Sequence, residues 1–269
     1  MSLPVFHTAA AAEAVPGTVL TVGEGVAGHA VRVRRIGPGE HIEIVDGEGT
    51  RARGQVTAAS AMGMDLDITA VTHEDEPHPR LVLVQALAKG DRDLQAIEAA
   101  TEIGVDEVIP WAAERSIADW PAKKREKMAA KWQHLLHAAS LQARRSRFPR
   151  LHELVRGTSL TRQLSESDAV FVLHETAQKR LSAALAELGH GGDDAAATSG
   201  PDPAAGPGSG STPERIVLIV GPEGGISDGE LEALTGIGAQ PVLLGPTILR
   251  SSSAGSAGLV MAQNSLGRW

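Results

Sequence analysis

The sequence predicts an α/β protein, and three observations predict it. Aliphatic side chains dominate while aromatics are scarce, with no tyrosine and three phenylalanines, so Val, Leu, Ile and Ala must fill the interior. Near-continuous apolar runs at 81–87 and 216–220 read as buried parallel strands, and helical stretches follow them. Two strands run straight into glycine-bearing turns, at 221–225 and 244–246, and open α/β sheets hold ligands at that end.

A chain of 269 residues exceeds the usual single-domain size, so it holds two domains or one large one. The absence of cysteine excludes a disulfide framework and a thiolate metal site, and suits a reducing cytosol. No apolar run approaches the roughly 20 residues that span a bilayer, and no signal pattern opens the chain, so a cytoplasmic protein without membrane attachment is expected. The formal net charge of -8 argues against a protein that coats nucleic acid indiscriminately.

Residues 1–74 read as short β segments with tight turns, a small β-barrel. Candidates are 41–45, 51–57 and 64–71, with Asp46-Gly47 and Glu48-Gly49 as hairpin residues. Ahead of them, Arg32, Arg34 and Arg35 lie on a short helix or strand before a Gly-Pro-Gly turn. Alone this reads as a solvated edge; the sharper reading is a phosphate-contacting surface. The charged, proline-bearing stretch 73–79 reads as a linker, which places a second domain at 75–269.

In that second domain the strand at 81–87, a helix with apolar positions at Leu94, Ile97, Ala100 and Ile103, and a strand at 105–110 form a βαβ unit. Residues 121–150 read as helical and strongly basic, with Lys123, Lys124, Arg125, Lys127, Lys131, Arg144, Arg145, Arg147 and Arg150 against one acid, Glu126. A positive face on an acidic protein suggests an anionic partner such as RNA. A strand at 168–173 ends in Leu173 and the pair His174-Glu175, and a helix is expected over 177–188. Residues 189–213 are almost wholly Gly, Ala, Asp, Pro, Ser and Thr and are expected to be a disordered insertion.

The turn Gly221-Pro222-Glu223-Gly224-Gly225 precedes a helix whose N-cap is Ser227 or Asp228. Neither a P-loop nor a dinucleotide fingerprint is present, since no Gly-Lys-Ser/Thr and no Gly-x-Gly-x-x-Gly occur there. The second turn, Leu244-Gly245-Pro246-Thr247-Ile248-Leu249-Arg250, is followed by a helix of small residues from Ser251 to Gly258 that allows tight packing.

These two motifs closely resemble those of the bacterial 16S ribosomal RNA uridine N3-methyltransferases of the SPOUT superfamily. The resemblance extends through Lys89-Gly90-Asp91-Arg92, Glu102-Ile103-Gly104 and Glu114-Arg115-Ser116 and reaches the segment 29–39. It implies a PUA-like N-terminal barrel for RNA and a C-terminal domain with a deep trefoil knot. It further implies an S-adenosylmethionine site inside that knot and a homodimer formed through it. The cofactor-binding residues implied are Leu173, His174, Gly221, Pro222, Glu223, Gly225, Leu244, Gly245, Ile248, Leu249, Ser253 and Ala254. Many relatives carry Thr-Glu-Thr where this chain has Ser251-Ser252-Ser253, so this chain departs from the pattern by lacking a carboxylate at position 252.

The implied reaction is methylation of a uridine N3 in 16S rRNA of the small ribosomal subunit. No metal is needed, because the sulfonium is already a strong electrophile. Arg250 is expected to orient the base or stabilise charge on the uracil oxygens. Glu223, His174 and Glu175 are possible general bases, beside hydroxide or a ribosomal phosphate. Arg32, Arg35, Arg144, Arg145 and Arg147 are assigned to RNA phosphates. The alternatives are a non-catalytic RNA- or ribosome-binding protein of the same fold, and a methyltransferase acting on another RNA site.

Overall fold

The computed structural model describes residues 3–189 and 212–269, so most of the expected insertion lies outside the described residues. The chain divides into two units, 1–76 with 137–148 and 77–136 with 149–269.

In the first unit, β1 (Val5–His7), β2 (Val19–Gly23), β3 (His41–Val45), β4 (Thr50–Ala59) and β5 (Gly63–His73) form a sheet in the order β1-β3-β4-β5-β2. Asp46 organises the β3–β4 turn, its Oδ1 accepting the backbone N–H groups of Glu48 and Thr50 at 2.8 and 2.9 Å. Alternation decides the buried face: Ile42 and Ile44 of β3 and Met64, Leu66 and Ile68 of β5 all point into one core. That core is closed by α1 (Glu24–Arg32), which buries Val26, Ala27 and Ala30. The short β1 was not legible in advance. Three residues carry little periodicity, and β1 exists because its backbone pairs parallel with β3.

The second unit is built on a parallel sheet. Its strands are β6 (Arg80–Ala86), β7 (Glu107–Ala112), β8 (Arg150–Leu151), β9 (Val155–Arg156), β10 (Asp168–Leu173), β11 (Arg215–Val220) and β12 (Gln240–Val242). The order is β12-β10-β11-β6-β7-β8, with β9 also on β7. Both faces are covered, so β6 is apolar along nearly its whole length, yet the two-residue period survives. Leu81 and Leu83 enter one core cluster, while Val82, Val84 and Ala86 enter the other.

The helices are α2 (Arg92–Ile103), α3 (Arg125–Gln142), α4 (Leu181–Gly189), α5 (Asp228–Gly236) and α6 (Ser251–Ser265). Two expected helices are shorter than their patterns suggested. The basic helix stops at Gln142, and Arg144 adopts a left-handed φ of 58°, so Arg144, Arg145 and Arg147 follow the helix rather than ride on it. The helix after β10 starts at Leu181 instead of residue 177, because 174–180 is drawn into a turn and Arg180 pairs with Leu243.

Small residues let α6 lie close on the sheet. A Cβ on Gly255 would stand 2.8 Å from Leu83 Cδ1 and 3.4 Å from Val220 Cγ2. Gly255→Val is therefore expected to destabilise the fold by about 2–3 kcal/mol through overpacking, read as a lower urea midpoint at unchanged m-value.

Candidate functional site

The site lies in the second unit at the C-terminal ends of β6, β10, β11 and β12. The turn after β11 is tightly folded. Gly221 passes so near Ile226 that a Cβ would come within 2.7 Å of its Cγ1, and Gly225 takes a φ of +75° while its N–H donates to the Pro222 carbonyl at 2.9 Å. Gly224 lies against the Arg115 carbonyl. The turn thus has internal reasons for three glycines, more than a bare strand-to-helix turn needs. Gly245 differs: its φ is not left-handed and nothing lies within 4 Å of where a Cβ would be, so the fold itself does not require glycine there.

The entry of α5 is fixed by a capping box. Ser227 Oγ accepts the Glu230 N–H, and Glu230 Oε2 accepts the Ser227 N–H at 3.1 Å. The other oxygen of the buried Glu230 accepts the Glu114 N–H at 2.8 Å, which ties the segment after β7 to the same turn.

Glu223 projects from the β11 turn toward the start of α2. Its Oε1 accepts Arg92 Nη1 at 2.9 Å and the Lys89 N–H at 3.3 Å. The turn preceding α2 has Gly90 and Asp91 in left-handed conformations, and Asp93 braces it by accepting the Ala88 and Leu94 N–H groups. Burial pushes the Asp93 carboxyl above its usual value, against the opposing effect of those hydrogen bonds.

His174 follows β10. Its N–H donates to the Val242 carbonyl at 3.0 Å, and its ring Nδ1 meets Thr176 Oγ1 at 3.0 Å and the Thr176 N–H at 3.4 Å. Arg250 is the N-cap of α6. Its carbonyl accepts the Ser253 and Ala254 N–H groups, while its side chain is exposed and makes no hydrogen bond or ion pair among the described residues.

Two abutting cavities occupy this end of the sheet. One, of about 210 Å³, is mostly apolar and is bounded by Leu173, Leu244, Gly245, Pro246, Ile248 and Leu249. The other, of about 340 Å³, is bounded by Gly221, Pro222, Glu223 and Gly225 on one side and by Arg92, Arg250 and Ser251 on others. Leu173, His174, Glu175, Ile248, Leu249 and Ala254 line both. Ile248 and Leu249 are 81 % and 40 % exposed, an unusual position for aliphatic side chains beside a cavity.

Every sequence-predicted cofactor residue except Ser253 lines one cavity or the other, as does Arg250. Ser253 is exposed on α6 and borders neither. The five arginines assigned to RNA all fall in the first unit. Among them, Arg32 stands 3.6 Å from Glu24, and Arg147 Nε donates to the Glu74 carbonyl at 2.8 Å. Arg92 is the residue whose place the sequence did not reveal. It opens an ordinary-looking helix, and only the adjacency of β6 and β11 brings it to Glu223.

The RNA methyltransferase domain family matches residues 74–263, and the RNA methyltransferase PUA domain family matches residues 23–68. The chain is 35 % identical over 257 residues to the ribosomal RNA small subunit methyltransferase E of Mycobacterium bovis, covering 94 % of this chain and 89 % of that one. It is 26 % identical over 232 residues to the protein of the same name from Bacillus subtilis, covering 84 % and 82 %. Its fold is that of the ribosomal RNA small subunit methyltransferase E of Neisseria gonorrhoeae, solved bound to S-adenosyl methionine, with a TM-score of 0.76, 23 % identity and 98 % of each chain covered. The match over residues 74–263 and the 35 % identity over 94 % of the chain make this chain a member of the RNA methyltransferase family that includes the ribosomal RNA small subunit methyltransferases E.

Proposed function

We propose that the protein transfers a methyl group from S-adenosylmethionine to N3 of a uridine in the 16S rRNA of the small ribosomal subunit. The observation that carries this reading is the pair of abutting cavities, one apolar and one bearing Arg92, Glu223 and Arg250. Membership of the family and the names of its members supply the substrate class.

The residues present suit the cofactor. Leu173, Leu244, Ile248 and Leu249 offer apolar surface for a purine, and the open space at Gly245 lets a ligand approach the main chain. When bound, S-adenosylmethionine supplies an electrophilic methyl group, and the protein's task is to align it and exclude competing water. Arg250, free of an internal partner among the described residues, is available to carbonyl oxygens of the target base. Glu223, a possible general base, already accepts two hydrogen bonds through one oxygen.

The same reading takes residues 1–74 as a PUA-like β-barrel with Arg32 and Arg35 on RNA phosphates, and 75–269 as a SPOUT domain whose last strands and α6 form a deep trefoil knot. Arg144, Arg145 and Arg147 serve the same phosphate-binding role. The exposed Ile248 and Leu249 support a homodimer formed through the knotted region. Among the described residues no helix is long and apolar enough to cross a membrane, which is compatible with work in the cytoplasm.

The test is methyl transfer from isotope-labelled S-adenosylmethionine to small ribosomal subunits that lack the modification, with the product nucleoside identified. Label recovered as 3-methyluridine is expected. Cofactor binding without transfer would instead favour a non-catalytic RNA-binding protein, and a different methylated nucleoside would move the activity to another site.

A further inference from the structure

The loop after β10 places a histidine on the wall shared by both cavities, and its hydrogen bonds fix what that ring can do. His174 Nδ1 lies 3.4 Å from the backbone N of Thr176 and 3.0 Å from Thr176 Oγ1. A backbone N–H can only donate, so Nδ1 is an acceptor, and the hydroxyl completes the pair by donating to the same nitrogen. The proton of the neutral ring therefore sits on Nε2. A ring in that state has no free nitrogen with which to take a proton: one is already engaged by Thr176 and the other already carries hydrogen.

We infer that His174 is a neutral hydrogen-bond donor to a carbonyl oxygen of the target pyrimidine, and not the base that deprotonates it. This rests on the reading of the site as one that methylates a uridine at N3. N3 of uracil lies between two carbonyl groups, and loss of its proton spreads negative charge onto both oxygens. The larger cavity is lined by two nitrogen donors that no acid neutralises among the described residues, the Arg250 guanidinium and the His174 ring, beside the Ser251 hydroxyl. The two nitrogen donors match the two carbonyls. The other guanidinium on that wall, Arg92, is taken by Glu223. In the transfer the N3 proton leaves to water, the N3 electron pair forms the new bond to the methyl carbon, and the electrons of the broken carbon–sulfur bond remain on sulfur as a neutral thioether. His174 neither gains nor loses a proton in this sequence; its hydrogen bond strengthens as charge grows on the oxygen.

Two measurements test the inference. Nitrogen NMR of the free protein should show the neutral His174 ring protonated at Nε2, and a ring protonated at Nδ1 would overturn it whatever the enzyme's activity. In turnover, glutamine carries its amide N–H about as far from the main chain as Nε2, whereas asparagine reaches only about as far as Nδ1. His174→Ala and His174→Asn should lower kcat by about tenfold to a hundredfold, less than a fully buried donor would because the ring is half-buried. His174→Gln should stay within a few-fold of wild type, and, because the ring is assigned here to the pyrimidine and not to the cofactor as the resemblance implied, all three should bind S-adenosylmethionine with unchanged Kd. Equal loss in the glutamine and alanine variants would overturn the donor role, and weakened cofactor binding would move the contact from the pyrimidine to the cofactor. A wild-type protein that methylates no uridine would overturn the underlying reading and the pyrimidine contact together, while the ring-nitrogen result would still stand by itself.

Discussion

Glu107→Ala is expected to lower folding stability by about 3 kcal/mol, near the lower end of what removing one partner of a buried ion pair costs. Glu107 opens β7 with a side chain only 6 % exposed and gathers three basic groups. His152 Nε2 lies 2.6 Å from its Oε2, Arg80 Nη1 3.1 Å from its Oε1, and Arg215 Nη1 3.5 Å from its Oε2. Removing the carboxylate leaves those groups facing one another in a desolvated place. The loss is held to the lower end because Arg215 keeps its bidentate bond to Asp168, at 2.9 and 2.6 Å. That bond is the main reason the Arg215 guanidinium is raised above its ordinary value despite burial.

The same cluster sets a pH dependence. Burial pushes the Glu107 carboxyl upward, but the His152 hydrogen bond and the charges of His152, Arg80 and Arg215 outweigh it and hold the carboxyl below its usual value. A group lowered on folding contributes stability that is fully present above its unfolded-state pKa, about 4.3 for glutamate. That contribution is lost as pH falls through the lower, folded-state value. Urea unfolding should therefore give a constant gap between wild type and Glu107→Ala at neutral pH and a narrowing gap below about pH 4. A gap that widened on acidification would show that Glu107 is not held as a carboxylate by this cluster.

Arg250→Ala is expected to reduce kcat by about a hundredfold to a thousandfold with little change in cofactor affinity, the range seen when one donor to a developing oxyanion is removed. The geometry favours a loss confined to the chemical step. The Arg250 main chain holds the start of α6 through its carbonyl, and alanine keeps that function. Its exposed side chain supports no other element among the described residues, so the fold should survive intact. Single-turnover methyl transfer beside calorimetric S-adenosylmethionine binding would separate the two quantities. Unchanged turnover would remove Arg250 from the reaction.

Much of this architecture was legible in the residues. The βαβ pattern follows from an apolar strand at 81–87, an amphipathic helix and a second apolar strand at 105–110, and the N-cap expected at Ser227 or Asp228 is Ser227. The two glycine turns identified the end of the sheet where the cavities lie. What escaped was whatever depends on which strands are neighbours. Arg92 reaches Glu223 across 131 positions, and Arg215 reaches Glu107 across 108, distances over which no periodicity speaks. The first unit's use of 137–148 was hidden for the same reason: by pattern those residues read as the continuation of a basic helix, although the helix ends at Gln142. The overlong helix at 177–188 erred because propensity counted residues that the Thr176 turn and the pairing of Arg180 with Leu243 claim first.

The parallel arrangement of β11 has a consequence for how this protein can change. Its first residue, Arg215, joins the ionic cluster, and its last, Val220, borders the larger cavity, so a six-residue strand sets the two roughly 16 Å apart. Substitutions so far apart, with no shared partner, combine nearly independently. Heat tolerance can therefore be tuned at one end of the strands while catalytic fitness is tuned at the other, and adaptation to a warmer or more acidic habitat need not pass through the chemistry at all.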